Sequence, residues 1–235
     1  MRQTRYTPRS LAALMLCLFA LGLWQVGEGS WIYAKASLAQ LLLQRAWSRT
    51  LMGEMAVKPW PWADTWPTAR LVVPSRNIDQ IVLEGAYGRT LAFGPAHLES
   101  GGRLEDQGTI ILTGHRDTHF RFLEKLQPGE TIAIQTRTGT WRHFTVRDRL
   151  VVDFRSASIA TDQDESTLAL VTCYPFDAIM PGGPLRYVVI ATTSSSDPNL
   201  NGSDPYAVNP QMFHGPLAPV VGFALFPGGY QGLPI

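Results

Sequence analysis

Cys173 is the residue whose type and position most clearly suggest chemistry. It ends the apolar run TLALVT and begins YPFDAIMPGGPL, a Pro- and Gly-rich loop. A side chain at the end of a strand and beside a loop is held rigidly while it stays reachable. Buried cysteines are common in protein cores. Cys173 is therefore either a core residue or a nucleophile, and its setting favours the nucleophile.

A thiol nucleophile needs a neighbouring base or cation that favours the thiolate. Among the five histidines the best candidate base is His115, which directly follows the apolar run TIIL in the segment TGHRDTH. Arg186 begins the last β-rich run, after the loop that Cys173 opens. An arginine there could hydrogen-bond a developing oxyanion. Taken singly, each of these residues also fits an ordinary surface or core position.

Short β-rich runs between turn signals must position these three side chains. A hairpin turn at Thr138-Gly139 and a turn at Pro128-Gly129 separate some of them. So many short strands in a small domain predict a closed barrel or a sandwich. Within 69–193, only 118–125 and a turn near 87–91 are expected to be helical. The predicted strands are 69–74, 80–84, 109–113, 131–136, 141–146, 149–153, 167–173 and 186–193.

The N-terminus has the pattern of an export signal. Arg2, Arg5 and Arg9 precede an uncharged apolar run at 11–24. This pattern predicts a membrane segment with the arginines on the cytoplasmic side, and we favour an uncleaved signal anchor over a buried core helix. A helical pattern at 34–51 predicts a stalk helix.

The predicted domains are a signal anchor at 1–30, a stalk helix with a Pro/Trp-rich segment at 31–68, a β-barrel at 69–193 and a Pro/Gly-rich tail at 194–235. Twenty basic and 19 acidic residues leave a net charge of +1, which argues against a nucleic-acid partner. The chain contains only two cysteines, Cys17 and Cys173, which excludes a disulfide framework and a four-cysteine zinc site.

At the chemically suggestive residues the chain resembles the sortase family, the cysteine transpeptidases of bacterial cell surfaces. Leu170-Val171-Thr172-Cys173 resembles the end of the sortase strand Thr-Leu-x-Thr-Cys, although Ala169 replaces its first Thr. The segments LTGHR and LRY resemble those that carry the family's essential histidine and arginine. Further similarity lies in GPAHL at 94–98 and LEKLQPGE at 123–130. The Trp-rich stalk and the active-site segments also resemble the class GN sortases of Gram-negative bacteria.

The resemblance implies an all-β, eight-stranded sortase barrel with one or two short helices, preceded by the anchor and stalk. Implied catalytic residues are His115, Cys173 and Arg186, and Thr172 and His97 are expected to bind substrate. The partner would be a secreted protein with a C-terminal sorting signal, cleaved through a Cys thioester and transferred to an amine or water. No cofactor or metal is expected, and a calcium requirement stays open. The barrel would face the periplasmic side of the inner membrane, held by a single pass.

Three alternatives remain open. A non-catalytic, sortase-shaped barrel could bind peptides. A metal-dependent hydrolase could use His115 and His119, whose spacing is that of a His-Glu-x-x-His zinc motif, but Arg116 stands at the Glu position. An L,D-transpeptidase is disfavoured because its Ser-x-Gly-Cys segment is absent.

Overall fold

The computed structural model of the chain describes residues 8–106, 108–156, 166–180 and 182–193, with side chains from residue 12 onward. The predicted tail at 194–235 lies outside the described residues. So does 157–165, most of the connection that follows the sixth strand.

The N-terminal part of the chain is one helix, α1 (Pro8–Leu51). The anchor helix and the stalk helix expected from the sequence are therefore continuous. Gly27 and Gly29 lie inside α1. A long helix tolerates them, because each glycine costs only about 1 kcal/mol. From Ala12 onward α1 is long and apolar enough to cross a membrane. The chain divides into two compact units, Met1–Ala39 and Gln40–Ile235.

Within the described residues, eight strands form a closed barrel in the order β1-β2-β3-β4-β7-β8-β6-β5. The pairs β2–β3 and β4–β7 are parallel and the others are antiparallel. The predicted all-β, eight-stranded sortase barrel is therefore confirmed. The strands are β1 (Pro67–Val73), β2 (Ile78–Glu84), β3 (Ala96–His97), β4 (Thr109–Thr113), β5 (Thr131–Thr136), β6 (Trp141–Asp153), β7 (Thr167–Cys173) and β8 (Leu185–Thr193).

Besides small differences at the ends of β1, β2 and β8, the strands differ from the sequence prediction in two places. The runs 141–146 and 149–153 form one strand, β6, because the register with β8 shifts between Val146 and Asp148 while pairing continues on both sides. β3 has only two residues, too few for a periodic pattern. In the described residues, short 3₁₀-helices lie at Pro74–Arg76, Thr90–Ala92 and Arg121–Lys125.

Seven of the eight described strands send buried apolar side chains into the barrel interior. On β1 the inward residues are Ala69, Leu71 and Val73, which follow the two-residue period of a strand. A second cluster covers the outer face of β4, β7 and β8 around Ile111 and Ala169. The parallel strands β4 and β7 are thus buried on both faces, which explains their nearly continuous apolar sequences.

The last turns of α1 pack on the barrel within the second unit. The Gln40 side-chain amide donates to the Phe93 carbonyl at 2.9 Å, and the Phe93 ring meets that of Trp60 with centroids 4.8 Å apart. These contacts fix the connection between β2 and β3. The buried members of this cluster are Leu43, Trp47, Ile81 and Leu83.

Candidate functional site

Cys173 is the last residue of β7, the strand between β4 and β8. Its side chain is half-buried, whereas Thr172 before it is fully buried. The Cα atoms of Cys173 and Arg186 are direct partners in the antiparallel pairing of β7 with β8. The thiol and the guanidinium group therefore start from neighbouring backbone positions at the end of the same strand pair.

His115 reaches the same end of the barrel from the other side of β7. Thr113 pairs with Val171 in the parallel β4–β7 ladder, and the Gly114 amide then donates to the Val171 carbonyl at 3.2 Å. Continuing this register by two residues places His115 beside Cys173. The His115 side chain is exposed to solvent. Cys173 and Arg186 thus lie on adjacent strands, and His115 follows two residues after the end of β4, the strand on the other side of β7.

The turn that carries His115 requires glycine at position 114. A Cβ atom on Gly114 would lie 2.9 Å from the ring of Phe120, a fully buried core residue. The Phe120 amide donates to the His115 carbonyl at 3.0 Å and closes the turn. Packing against the core residue Phe120 therefore fixes the turn that carries His115 after β4.

The electrostatic setting of His115 favours the neutral imidazole. Partial desolvation lowers the pKa of His115 below its ordinary value, while the Asp117 carboxylate opposes the shift. Burial lowers the pKa of nearby His119 to about 4; its hydrogen bond to the Ala92 backbone opposes this shift, and charge on His115 adds to it. A neutral imidazole can accept a proton from a thiol.

The Arg186 guanidinium is held by the backbone of the β7–β8 loop. Its Nη1 donates to the carbonyls of Gly183 at 2.8 Å and Leu185 at 3.0 Å. Its Cζ lies 4.5 Å from the centroid of the Phe154 ring, within the range of a cation–π contact. Nearby Asp153 is engaged by Arg155, whose Nε donates to it at 3.0 Å. The fixed guanidinium can therefore stabilise negative charge that develops near Cys173.

The two residues expected to bind substrate have other contacts in the structure. The buried Thr172 hydroxyl donates to the Gly114 carbonyl at 2.7 Å and ties β7 to the His115 turn. His97 is buried on β3, where its Nε2 donates to the Gly102 carbonyl at 3.0 Å and its Nδ1 lies 3.6 Å from a Glu84 oxygen. Thr172 thus ties β7 to the turn that carries His115, whereas the contacts of His97 are with Gly102 and Glu84.

Arg116 is a buried residue of the site that was not predicted from the sequence. Its side chain is buried, and Nη2 donates to the Ala178 carbonyl at 2.8 Å across the β7–β8 loop. The available signal was an arginine directly after a candidate base. No pattern in the sequence indicated that this arginine faces inward.

The metal-site alternative lacks a ligand set. In the part of the chain that the structure describes, no group of three His, Cys, Asp or Glu side chains is placed to hold a metal ion. His115 and His119 do not share an α-helix, because the residues between them form a turn. The ring of His119 is engaged with the backbone of Ala92.

The sequence profile described as the sortase domain matches residues 71–194, which include all three residues of the site. The chain belongs to the sortase family. Sortase D of Bacillus subtilis strain 168 is 29% identical over 119 residues, covering 51% of this chain. The aligned part spans only 60% of that relative's length.

Solved sortase structures are similar in fold. Sortase A from Corynebacterium diphtheriae is 20% identical, with a TM-score of 0.51 and coverage of 69% of this chain and 85% of that one. A sortase D5 transpeptidase of Clostridium perfringens is 25% identical, with a TM-score of 0.48 and coverage of 55% and 79%. The first of these similarities supports the barrel fold of the family.

Proposed function

We propose that this sortase is a membrane-anchored cysteine transpeptidase. It cleaves a C-terminal sorting signal of a secreted protein through a thioester on Cys173 and transfers the acyl group to an amine or to water. The observation that carries this proposal is the strand register, in which Cys173 pairs with Arg186 and the β4–β7 ladder leads to His115.

In the first half of the reaction, the Cys173 thiol gives its proton to neutral His115, and the sulfur attacks a backbone carbonyl carbon of the substrate. The resulting oxyanion is stabilised by the Arg186 guanidinium. When the C–N bond breaks, the imidazolium returns its proton to the leaving amine. The products of this half are a thioester on Cys173 and a free amine, with His115 neutral again.

In the second half, an incoming amine or water attacks the thioester carbonyl and loses a proton to His115. The C–S bond then breaks, and the sulfur recovers a proton from the imidazolium. This cycle needs no metal or cofactor, and it uses one histidine first as base and then as acid. The lowered pKa of His115 supports this role, because the ring is ready to accept a proton at neutral pH.

Two residues take supporting parts in this proposal. The hydrogen bond from Thr172 to Gly114 supports a role in aligning β7 with the His115 turn. The contacts of His97 with Glu84 and Gly102 support a role in barrel stability. A substrate contact by either residue stays a prediction.

The membrane location rests on α1. The helix is long and apolar enough to span a bilayer once, and three arginines precede its apolar part. The positive-inside tendency supports a barrel on the extracytoplasmic side. This is the periplasm if the class GN resemblance holds. The sorting signal and the amine acceptor are the partners that this location offers.

Intact-mass analysis of the full chain tests the proposed function. The protein would be purified in detergent with Cys17→Ala, so that Cys173 is its only thiol, and incubated with a library of randomised peptides. We expect an added mass equal to the N-terminal fragment of a cleaved peptide, released by hydroxylamine as thioesters are. Cys173→Ala is the matched control and should acquire no mass.

Two results would overturn the proposal. A hydroxylamine-resistant adduct, or one that persists in Cys173→Ala, would show that Cys173 forms no thioester. Peptide retention without cleavage would instead favour a non-catalytic binding barrel.

A further inference from the structure

Arg116 is a buried cation directly beside the proposed base. Its side chain is 8% exposed, although a buried guanidinium is costly unless its donors find acceptors. Nη2 donates to the Ala178 carbonyl at 2.8 Å, and Nε lies 3.4 Å from a carboxylate oxygen of Asp117, whose side chain is largely exposed. The buried end of the Arg116 side chain is therefore hydrogen-bonded to the β7–β8 loop.

The partner of Arg116 ends the compact half of that loop. The Tyr174 amide donates to the Leu185 carbonyl at 3.0 Å and closes the base of the loop. The buried Phe176 ring packs edge-on against Tyr187, with centroids 5.2 Å apart. The next residues outward, Ile179 and Met180, are 95% and 80% exposed. Arg116 thus holds the loop at the boundary between its packed and its protruding half.

Two connections enclose the proposed nucleophile and base. On the strand side, the Thr172 hydroxyl donates to the Gly114 carbonyl. On the loop side, Arg116 donates to the Ala178 carbonyl. Along the chain, His115 lies between Gly114 and Arg116, and Cys173 lies between Thr172 and Ala178. The segments 114–116 and 172–178, which carry the base and the nucleophile, are therefore joined at both ends, and the hydrogen bond of Arg116 forms the second junction.

We propose that Arg116 is a positioning residue that fixes His115 relative to Cys173 through its hydrogen bond to Ala178. The inference rests on the proposed function and extends it, since it concerns the geometry of the same two groups. Arg116 acts through the backbone and does not touch the substrate. A displacement of about 1 Å between reacting groups can cost about 10²-fold in rate, so a single connection of this kind matters.

Hydrogen exchange of the full chain in detergent tests the connection without using activity. In Arg116→Met we expect the two loop amides that donate hydrogen bonds, those of Tyr174 and Ala178, to exchange at least about tenfold faster, because their loop loses its outer attachment. Arg116→Lys should lie between wild type and Arg116→Met, since an ammonium group can reach one carbonyl but lacks the planar fork of arginine. Arg121→Met removes an exposed arginine from the same segment and should leave this exchange unchanged.

Thioester formation on Cys173, measured with a peptide from the library, tests the positioning role. Arg116→Met should lower kcat by about 10- to 100-fold with KM within about threefold of wild type. Arg116→Lys should recover part of kcat. Arg121→Met, which removes an exposed arginine and not the Ala178 contact, should stay within about threefold of wild type in both parameters.

Each outcome decides one of the two proposals. Unchanged exchange of the Tyr174 and Ala178 amides, or a rise in KM with constant kcat, would overturn the positioning role of Arg116. Faster loop exchange in a protein that forms no thioester even as wild type would refute the proposed function and leave the structural connection established. If Arg116→Met fails to fold, Arg116→Lys decides: equal exchange in this variant and in wild type would overturn the inference.

Discussion

His119 and His97, two of the three buried histidines in the described residues, lie in regions of opposite electrostatic character. His119 belongs to the turn after β4, where its main influence is burial, and its pKa falls to about 4. His97 lies between the ends of β2 and β3, where burial also acts to lower its pKa but attraction to Glu84 and the Gly102 carbonyl outweighs it. The net pKa of His97 is therefore raised.

The opposite pKa shifts of His119 and His97 distinguish two regions of the barrel, the candidate site and a region of structural ion pairs. Around His97, charges are paired: Glu84 faces His97, and Arg137 Nε lies 2.7 Å from Glu105. At the site, the Arg186 guanidinium instead donates to the backbone carbonyls of Gly183 and Leu185. A guanidinium held by neutral carbonyls keeps its charge available for an oxyanion. In an ion pair, the carboxylate partner neutralises that charge.

The largest effect is expected for His115→Gln. Glutamine cannot take up and return a proton, and general acid–base catalysis contributes about 10² to 10⁴-fold. Thioester formation on Cys173 should therefore fall by about that factor, as followed by quenched-flow mass spectrometry. Because the side chain is exposed, Tm should stay nearly constant. A loss below about threefold would contradict the assignment of His115 as the base.

The two arginines of the two regions form a matched pair for the next test. Arg186→Met removes the proposed oxyanion donor and should slow thioester formation by about 10²-fold. Arg137→Met breaks an ion pair of the structural region and should leave the rate per folded molecule within about twofold. Similar losses in both variants would mean that general charge, rather than position beside Cys173, determines activity.

Acid should destabilise the protein through His119. Its pKa is about 4 in the folded state and 6.5 in an unperturbed histidine. The unfolded chain therefore binds more protons between these values, and stability falls as pH decreases from 6.5 towards 4. The free energy of unfolding should drop by roughly 3 kcal/mol more in wild type than in His119→Gln over this range. Parallel pH curves for the two proteins would disprove the assignment.

A smaller effect of opposite sign is expected for the pair Glu84 and His97. The raised pKa of His97 gives stability that is present below pH 6.5 and lost as pH rises through the folded value. The lowered pKa of Glu84 gives stability that is present above pH 4.5 and lost in stronger acid. Glu84→Gln should therefore cost about 1 to 3 kcal/mol near pH 5.5, as for a buried group left without its partner. In thermal melts the cost should shrink towards pH 8, and a pH-independent cost would contradict the pairing.

The sequence predicted most of the barrel because its strands carry strong local signals. β4, β5 and β7 have the predicted bounds, since buried apolar runs flanked by turn residues are distinctive. β6 was divided because the irregularity beside Arg147 interrupts its alternation. The continuity of α1 was not predicted, because the apolar run at 11–24 and the helical pattern at 34–51 were interpreted as separate segments.

Of the candidate site, the sequence predicted only the three residues with reactive or charged side chains. Cys173, His115 and Arg186 could be found because their residue types suit one reaction and each adjoins a recognisable strand. The buried contact of Arg116 with Ala178 joins segments 62 residues apart, so it depends on tertiary packing that no local pattern encodes. The ion pair of His97 depends in the same way on the short strand β3.

The most direct test of this account sets the rate of thioester formation on Cys173 against Tm for His115→Gln and Glu84→Gln. The account predicts that His115→Gln loses about 10²-fold or more in rate at nearly constant Tm. Glu84→Gln should lose stability at nearly constant rate per folded molecule. Equal losses of rate in the two variants, or a rate loss in His115→Gln that follows its loss of Tm, would contradict the separation of a catalytic region from a structural one.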